Sequence, residues 1–402
     1  MPSENARGIL AAIVIFAFAA GGARALDSDP VWEPPEQVTY SGATNRYQHL
    51  GSDRILAFDH HGFPAVGVHL SGSANRPACF RRVPGFGWSE DYADASGSEG
   101  AYPSLAFDRY ERPAISYVDG GSDQVKYAAW DGAAWNAAVV DTGVNSGYGC
   151  TALAMDLYGR PAIAYVATGG VVKFVMDTDG DGDWSDETKQ TVSETTSNRW
   201  PSLAFDPLNR PMIAFHNDSV DNLCFAVKDN VQSVWRVKTV DAAGTTGWYP
   251  SLAIDPDNGY PAISYQDASA SALNYAWWDG EAWQIDEGVA TWGESSSLAF
   301  DPADGRPAIA FAAGGDLRFA WHDGSNWHLQ TVSTAVSYYP SLAFNEYGTG
   351  WPAIAFLDQQ NTVYYTEDPP DVPEPATLSF LLIGAAALLR LRRRRKAARR
   401  TG

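Results

Sequence analysis

The sequence predicts an all-β fold, a seven-bladed β-propeller, and three observations lead to this prediction. One short segment recurs along most of the chain. Each recurrence opens a unit of four β-type runs that shows no helical periodicity. The start of the chain also carries a strand pattern that the last unit lacks.

Seven copies of the segment follow one another at nearly constant spacing. YPSLAFDRYERPAISYVDG at Tyr102 returns as WPSLAFDPLNRPMIAFHND at Trp200 and as YPSLAIDPDNGYPAISYQD at Tyr249. The residue that closes the first strand falls, in steps of 44 to 50 residues, at Asp59, Asp108, Asp156, Asp206, Asp255, Asp301 and Asn345. Four-stranded units of roughly 40 to 50 residues are typical of propeller blades. A β-helix would need a shorter period, and a sandwich would not repeat so regularly.

Turn residues divide each unit into its strands. The first strand ends in an Asp-containing turn, and Asp side chains close such turns by accepting hydrogen bonds from nearby backbone amides. A proline opens the second strand, where its missing N–H is tolerated. A tight Asp-Gly turn connects the third strand to the fourth.

The two ends of the body complete one blade. The seventh unit stops after its third strand, at Asp368. VWEPPEQVTY, residues 31–40, matches the fourth-strand pattern and precedes the first unit. The sequence therefore predicts that an N-terminal strand closes the disc, within a propeller domain spanning residues 26–368.

The third-to-fourth strand turns also resemble a known hairpin. WDGAAW, WDGEAW and HDGSNW, which begin at Trp130, Trp278 and His322, resemble the Asp-box hairpins of sialidase-like propellers. The leading Ser or Thr is missing and the spacing to Trp differs. In that family the Asp box is structural, so the resemblance implies a fold and not a sialidase activity.

The first 25 residues have the pattern of a secretory signal peptide. Arg7 gives a positive start, an apolar run follows, and Ala23 and Ala25 frame a small-residue cleavage site. A retained N-terminal anchor is the alternative, but Gly21 and Gly22 interrupt the apolar run before it could span a bilayer.

Residues 369–402 form a different tripartite segment. A Pro-rich linker and motif (369–375) precedes a short apolar stretch (376–391), predicted as a transmembrane helix, and a basic tail (392–402). Pro373, Glu374 and Pro375, in this order with the helix and tail, resemble the PEP-CTERM sorting signal of Gram-negative bacteria. The resemblance implies an exosortase-type processing enzyme as partner. It also implies transient anchoring in the inner membrane and delivery to the cell surface or the extracellular matrix.

Charge and cysteine content exclude other classes. Residues 26–370 contain 18 basic residues against 45 acidic ones, so a nucleic-acid-binding surface is not expected. The three cysteines, Cys79, Cys150 and Cys224, fall in different predicted blades and are expected to be free, buried thiols.

An acidic turn in the third unit suggests calcium. DTDGDGDWSDE places Asp177, Asp179, Asp181 and Asp183 at alternate positions, and Ca²⁺ prefers such oxygen ligands. Thr188 stands where an EF-hand has its glutamate, so the loop is not an EF-hand proper. A solvated acidic turn without an ion is the alternative. A bound calcium ion would have a structural role and make this hairpin rigid.

A ring of aromatic residues marks a second candidate site. Tyr102, Trp200, Tyr249 and Tyr339 precede the first strands, and the loops after the second strands bring Asp119, Asp267 and Asp358 to the same face. Aromatic rings with carboxylates can stack on sugars and bond their hydroxyls. The alternative is that the aromatics only separate adjacent blades.

The sequence leaves two functions open. One is a non-catalytic surface propeller that binds glycan or protein. The other is a secreted carbohydrate-active enzyme, a glycoside hydrolase or lyase, that acts at the channel face. No catalytic constellation is recognisable in the sequence, and binding is therefore the expected function.

Overall fold

A computed structural model describes residues 30–38, 54–70, 75–96, 100–144, 150–229, 231–334, 339–347 and 350–368. The predicted signal peptide (1–25), linker, Pro373–Glu374–Pro375 motif, apolar stretch and basic tail lie outside these ranges. Within them, no helix is long and apolar enough to cross a membrane.

The described residues form seven four-stranded antiparallel sheets, as the repeat predicts. The strands of blades one to three are β2 (Leu56–Phe58), β3 (Pro64–Leu70), β4 (Arg76–Val83), β5 (Gly87–Tyr92), β6 (Ala101–Phe107), β7 (Pro113–Asp119), β8 (Gln124–Trp130), β9 (Trp135–Thr142), β10 (Thr151–Met155), β11 (Pro161–Ala167), β12 (Val171–Met176) and β13 (Gln190–Ser193). Those of blades four to seven are β14 (Asn198–Phe205), β15 (Pro211–Asn217), β16 (Asn222–Asp229), β17 (Val234–Asp241), β18 (Trp248–Ile254), β19 (Pro261–Asp267), β20 (Ala272–Trp278), β21 (Trp283–Thr291), β22 (Glu294–Phe300), β23 (Pro307–Ala313), β24 (Asp316–His322), β25 (Trp327–Thr334), β26 (Ser341–Phe344), β27 (Pro352–Leu357) and β28 (Val363–Glu367), with β1 (Glu36–Gln37) as the fourth strand of blade seven.

The closing strand is confirmed. β1 pairs antiparallel with β28, with Glu36 opposite Tyr365. Two further backbone bonds extend the pairing, from Glu33 N to Glu367 O (2.9 Å) and from Val38 N to Val363 O (2.9 Å). The outer edge of blade seven is therefore covered by residues from the start of the chain.

Apolar cores lie between neighbouring blades. Seven buried clusters occupy the seven interfaces, and Val38 belongs to the cluster that joins blades seven and one. At six interfaces a tryptophan at or before an outermost strand packs on a ring of the preceding blade's third strand, with centroids 5.1–5.4 Å apart. These pairs are Trp32–Phe319, Trp88–Tyr365, Trp184–Tyr127, Trp235–Phe174, Trp283–Phe225 and Trp327–Tyr275. Hence these six tryptophans space the blades in their outer half.

The predicted turns and thiols have the expected roles. Asp131 and Asp279 close Asp-Gly hairpins by accepting backbone hydrogen bonds, and Asp108 closes a first-to-second strand turn in the same way. Cys79, Cys150 and Cys224 are free and buried, which agrees with their prediction.

Serines link the innermost strands around the central channel. The Oγ atoms of Ser104, Ser202, Ser251, Ser297 and Ser341 each accept a hydrogen bond from the leucine N–H of the next blade. Amides on the inner strand edges therefore find partners without a further strand, which explains the repeated Ser-Leu pair.

The channel is lined mainly by apolar residues, and Arg54 reaches across it. A cavity of about 560 Å³, lined by inner-strand residues of all seven blades, extends to the face that carries the first-to-second strand turns. Arg54 lines its other end and donates from Nη2 to Leu252 O (2.5 Å) of blade five, across the channel from its own blade.

Candidate functional site

The four predicted aromatics share an unusual backbone. Tyr102, Trp200, Tyr249 and Tyr339 have φ of 53°, 50°, 49° and 65°, and each precedes a proline. A residue before proline is normally extended, and positive φ is costly for a side chain with a Cβ. In blades two, four and five the strand register shifts at this point. In these three blades a β-bulge therefore redirects the aromatic side chain as the strand begins.

These aromatics form a cluster, which we call the channel aromatics. Trp200 and Tyr249 have ring centroids 4.3 Å apart, and Tyr249 and Tyr339 5.8 Å apart. Blades four, five and seven thus meet at one end of the channel. All four side chains are partly exposed.

Two phenol groups of the cluster, those of Tyr102 and Tyr339, stay protonated. Burial raises the pKa of Tyr102, with smaller effects from Cys150 and Tyr249. Burial also raises the pKa of Tyr339, again assisted by Tyr249 and Cys150. At neutral pH both of these phenols can therefore donate a hydrogen bond as well as accept one.

The three predicted acids lie in the second-to-third strand turns, on the same face of the disc as the channel aromatics. Asp119 is buried, 3.1 Å from Lys126 Nζ, and accepts a hydrogen bond from Gly121 N. Asp267 accepts from Ala270 N, and Asp358 accepts from Gln360 N and Thr362 N. All three carboxylates therefore take part in closing their own turns, and their role in ligand binding stays a prediction.

One group beside the channel aromatics was missed by the sequence reasoning. His216 is buried, and its ring centroid lies 5.7 Å from that of Trp200. Asp218 and Asp221 follow it in the turn after β15. The histidines looked scattered in the sequence, without metal-ligand spacing. The pattern His-x-Asp-x-x-Asp at a second-to-third strand turn was the available signal.

The Asp loop, residues 177–187, is built around one buried carboxylate. Asp177 is 2 % exposed and accepts hydrogen bonds from Gly180 N (2.6 Å) and Gly182 N (3.0 Å). Burial raises its pKa, and the carboxylates of Asp179 and Asp181 raise it further. The oxygens of Asp177, Asp179 and Glu187 lie within 4.8 Å of one another. A cation at this point would relieve the repulsion between them.

The structure groups the predicted calcium ligands differently from the sequence. Glu187, absent from the predicted set, joins Asp177 and Asp179. Asp181 and Asp183 instead accept bonds from the backbone N–H groups of Asp183 and Ser185. Calcium binding by Asp177, Asp179, Asp181 and Asp183 remains a proposal.

We expect Ca²⁺ to raise the unfolding temperature of the wild-type protein. Saturation at a hundred times Kd would add about 2.7 kcal/mol. The double variant Asp179→Ala/Asp181→Ala should lose this response, measured by calorimetry with and without Ca²⁺. Glu281→Gln removes an exposed charge from the equivalent turn of blade five and should keep the response. Equal responses in wild type and double variant would refute the calcium proposal.

Residues 371–396 match the PEP-CTERM protein-sorting motif. The match includes Pro373, Glu374 and Pro375, the apolar stretch and the start of the basic tail. The sorting signal predicted from the sequence is therefore confirmed. It marks an exported protein that is anchored in the membrane transiently.

Solved structures resemble the propeller, while no curated protein sequence matches the chain. The BP39L lectin from Burkholderia pseudomallei aligns with a TM-score of 0.58 and 12 % identity, over 81 % of this chain and 98 % of that one. YCF48 bound to D1 peptide aligns with a TM-score of 0.52 and 15 % identity, over 87 % of this chain and 98 % of that one. A mutant of the NanB sialidase from Streptococcus pneumoniae aligns with a TM-score of 0.47 and 10 % identity, over 83 % of this chain and 70 % of that one. At these identities the likeness concerns the fold alone.

Proposed function

We propose that this exported propeller is a non-catalytic binding protein that takes glycans at the channel aromatics. The observation that carries the proposal is the strained backbone of Tyr102, Trp200, Tyr249 and Tyr339. Positive φ before proline costs free energy, and residues with such strain cluster at binding and active sites.

The alternative, that these aromatics only separate the blades, is weakened by the outer tryptophans. Six aromatic ring pairs already space adjacent blades in their outer half. Partly exposed indole and phenol rings, with protonated hydroxyls, suit the apolar face and the hydroxyl groups of a sugar. The fold of the BP39L lectin is compatible with such binding.

A peptide ligand and a carbohydrate-active enzyme are the other candidates. YCF48 is a neighbour bound to a peptide, so the same fold can hold one. The enzyme would need two carboxylates near the aromatics. Asp119, Asp267 and Asp358 are engaged in their turns, and of the two acids beside Trp200 and His216, Asp218 is paired with Arg199. We therefore favour binding, at the cell surface or in the extracellular matrix of a Gram-negative bacterium, after processing by an exosortase-type enzyme.

Trp200→Ala is expected to weaken glycan binding by tenfold to a hundredfold, about 1.4–2.8 kcal/mol. The physical reason is the loss of the ring at the centre of the cluster. A glycan and polysaccharide screen on the propeller, with and without Ca²⁺, would score both retained ligand and released product. Tyr158→Ala, which removes an exposed ring from the opposite face, is the matched control and should bind as wild type. Unchanged binding in Trp200→Ala, or a screen without any bound glycan, would overturn the proposal, and product release would favour the enzyme.

A further inference from the structure

A buried histidine with an unused nitrogen lies at the end of β15. The His216 side chain is fully buried, with ring centroids 5.7 Å from Trp200 and 6.2 Å from Trp248. These rings and the backbone around them fix the plane of the imidazole. One edge of the ring faces Thr246, and the other faces the turn that contains Asp218 and Asp221.

The contact with Thr246 identifies which nitrogen carries the proton. His216 Nδ1 lies 2.9 Å from the Thr246 carbonyl oxygen. A carbonyl oxygen only accepts hydrogen bonds, so Nδ1 must be the donor. In the neutral ring Nε2 then has a lone pair and no hydrogen.

Nε2 points at two further acceptors. It lies 3.6 Å from Asp218 Oδ1 and 4.0 Å from Asp221 Oδ1, and it has no hydrogen-bond partner among the described residues. Three acceptor atoms that face one another cannot bond directly. Such an arrangement is stabilised by a cation between them.

The three atoms have the spacing of a metal site. All lie within 4.8 Å of one another, and ligands at about 2.0–2.1 Å from a tetrahedral Zn²⁺ are roughly 3.4 Å apart. Metal-binding histidines commonly donate their other N–H to a backbone carbonyl, which is the bond to Thr246. Arg199 donates a hydrogen bond to Asp218 Oδ2 (3.0 Å), so Oδ1 is the oxygen that faces His216.

We propose that His216, Asp218 and Asp221 bind a borderline divalent transition-metal ion, of the Zn²⁺ class, at the aromatic end of blade four. One imidazole and two carboxylates favour such an ion over Ca²⁺, which prefers oxygen ligands alone. The carboxylate side chains are 33 % and 50 % exposed, so the ion can enter from solvent. Three protein ligands leave a coordination position for water. The proposal does not depend on glycan binding.

The test is metal titration of the full chain. We expect calorimetry to show Zn²⁺ binding to wild type, and Co²⁺ to give visible absorption bands typical of tetrahedral nitrogen and oxygen ligation. Asp221→Asn, at the most exposed ligand, should weaken Zn²⁺ binding at least tenfold and leave the fold unchanged by circular dichroism. His216→Gln should abolish the Co²⁺ bands.

Controls separate this site from the Asp loop and from a protonated histidine. Asp179→Ala/Asp181→Ala should retain Zn²⁺ binding at the His216 site. Unchanged Zn²⁺ affinity in both Asp221→Asn and His216→Gln would overturn the proposal. So would nuclear magnetic resonance of labelled His216 that shows a hydrogen on Nε2 unaffected by Zn²⁺, because the imidazolium would then be the cation of the cluster.

Discussion

Removal of residues 26–38 is expected to lower the free energy of unfolding by about 5 kcal/mol or more, a large fraction of the 5–15 kcal/mol typical of a domain. The deleted segment contains β1 and Trp32, whose ring packs 5.1 Å from Phe319 and whose Nε1 donates to Gln330. Truncation of a fully buried tryptophan costs about 3–5 kcal/mol, and the partly buried Trp32 should contribute somewhat less.

Polar contacts of the same segment add to this loss. Val31 N donates to Asp368 (3.1 Å), Thr366 Oγ1 donates to Glu33 O (2.6 Å), and Arg82 pairs with Glu36. Each hydrogen bond contributes about 1 kcal/mol. Without the segment, β28 would also present an unpaired edge, which promotes association with other chains.

Urea unfolding and light scattering would measure the two effects. A deletion of residues 1–25 alone is the matched control and should leave the stability and oligomeric state of the propeller unchanged. Trp32→Ala should fall between the two, since it keeps the backbone pairing. If deletion of residues 26–38 altered neither the urea midpoint nor the scattering, the closure would have no energetic importance.

The fold was predictable because the same pattern of strands and turns occurs seven times in the sequence. Three local signals mark the blades: the Asp at the end of each first strand, the proline that follows and the Asp-Gly hairpin. Each is weak alone and becomes reliable because it recurs. The closing strand was predictable for the same reason, since blade seven lacked an outer strand and residues 31–40 matched one. Terminal segments with a linear motif, such as Pro373–Glu374–Pro375, need no fold to be recognised.

Single-copy features were less predictable. Arg54 crosses the channel to Leu252, and His216 meets Asp218 and Asp221, but neither group recurs in other blades. Their partners are set by bulges and turn geometry that residue types do not encode. The positive φ of Trp200 and its equivalents is also invisible in the sequence, because the following proline argues for an extended residue.

Asp156→Ala is expected to cost about 3 kcal/mol or more, because each buried donor that loses its acceptor costs about 1–3 kcal/mol. The Asp156 side chain is fully buried, and its Oδ1 accepts from Tyr158 N (2.9 Å) and Arg160 N (2.8 Å). Its Oδ2 accepts from the Arg160 guanidinium and from Asn209 of blade four (3.2 Å). The substitution would leave these donors without their acceptor and would remove a link between two blades.

The charge of Asp156, and not only its shape, should matter. Asn345 occupies the equivalent turn of blade seven, where the residue before the proline is Trp351 in place of an arginine. In Asp156→Asn an amide NH₂ would face the Arg160 guanidinium, so we expect most of the loss to persist. Asp108→Ala is the matched control, since that carboxylate is 15 % exposed and should cost less.

The stability difference between wild type and Asp156→Ala should depend on pH, in a direction set by the pKa of Asp156. Burial alone would raise the pKa of Asp156, but hydrogen bonds from Arg160 and Asn209 outweigh it and hold the pKa below its usual value. A depressed folded-state pKa stabilises the protein above the unfolded pKa of about 3.9, and this stability is lost as the pH falls through the folded pKa. The difference in urea midpoint between wild type and Asp156→Ala should therefore be largest near neutral pH and shrink below about pH 4. A difference that stays constant from pH 7 to pH 3 would mean that packing, and not the ion pair, accounts for the loss.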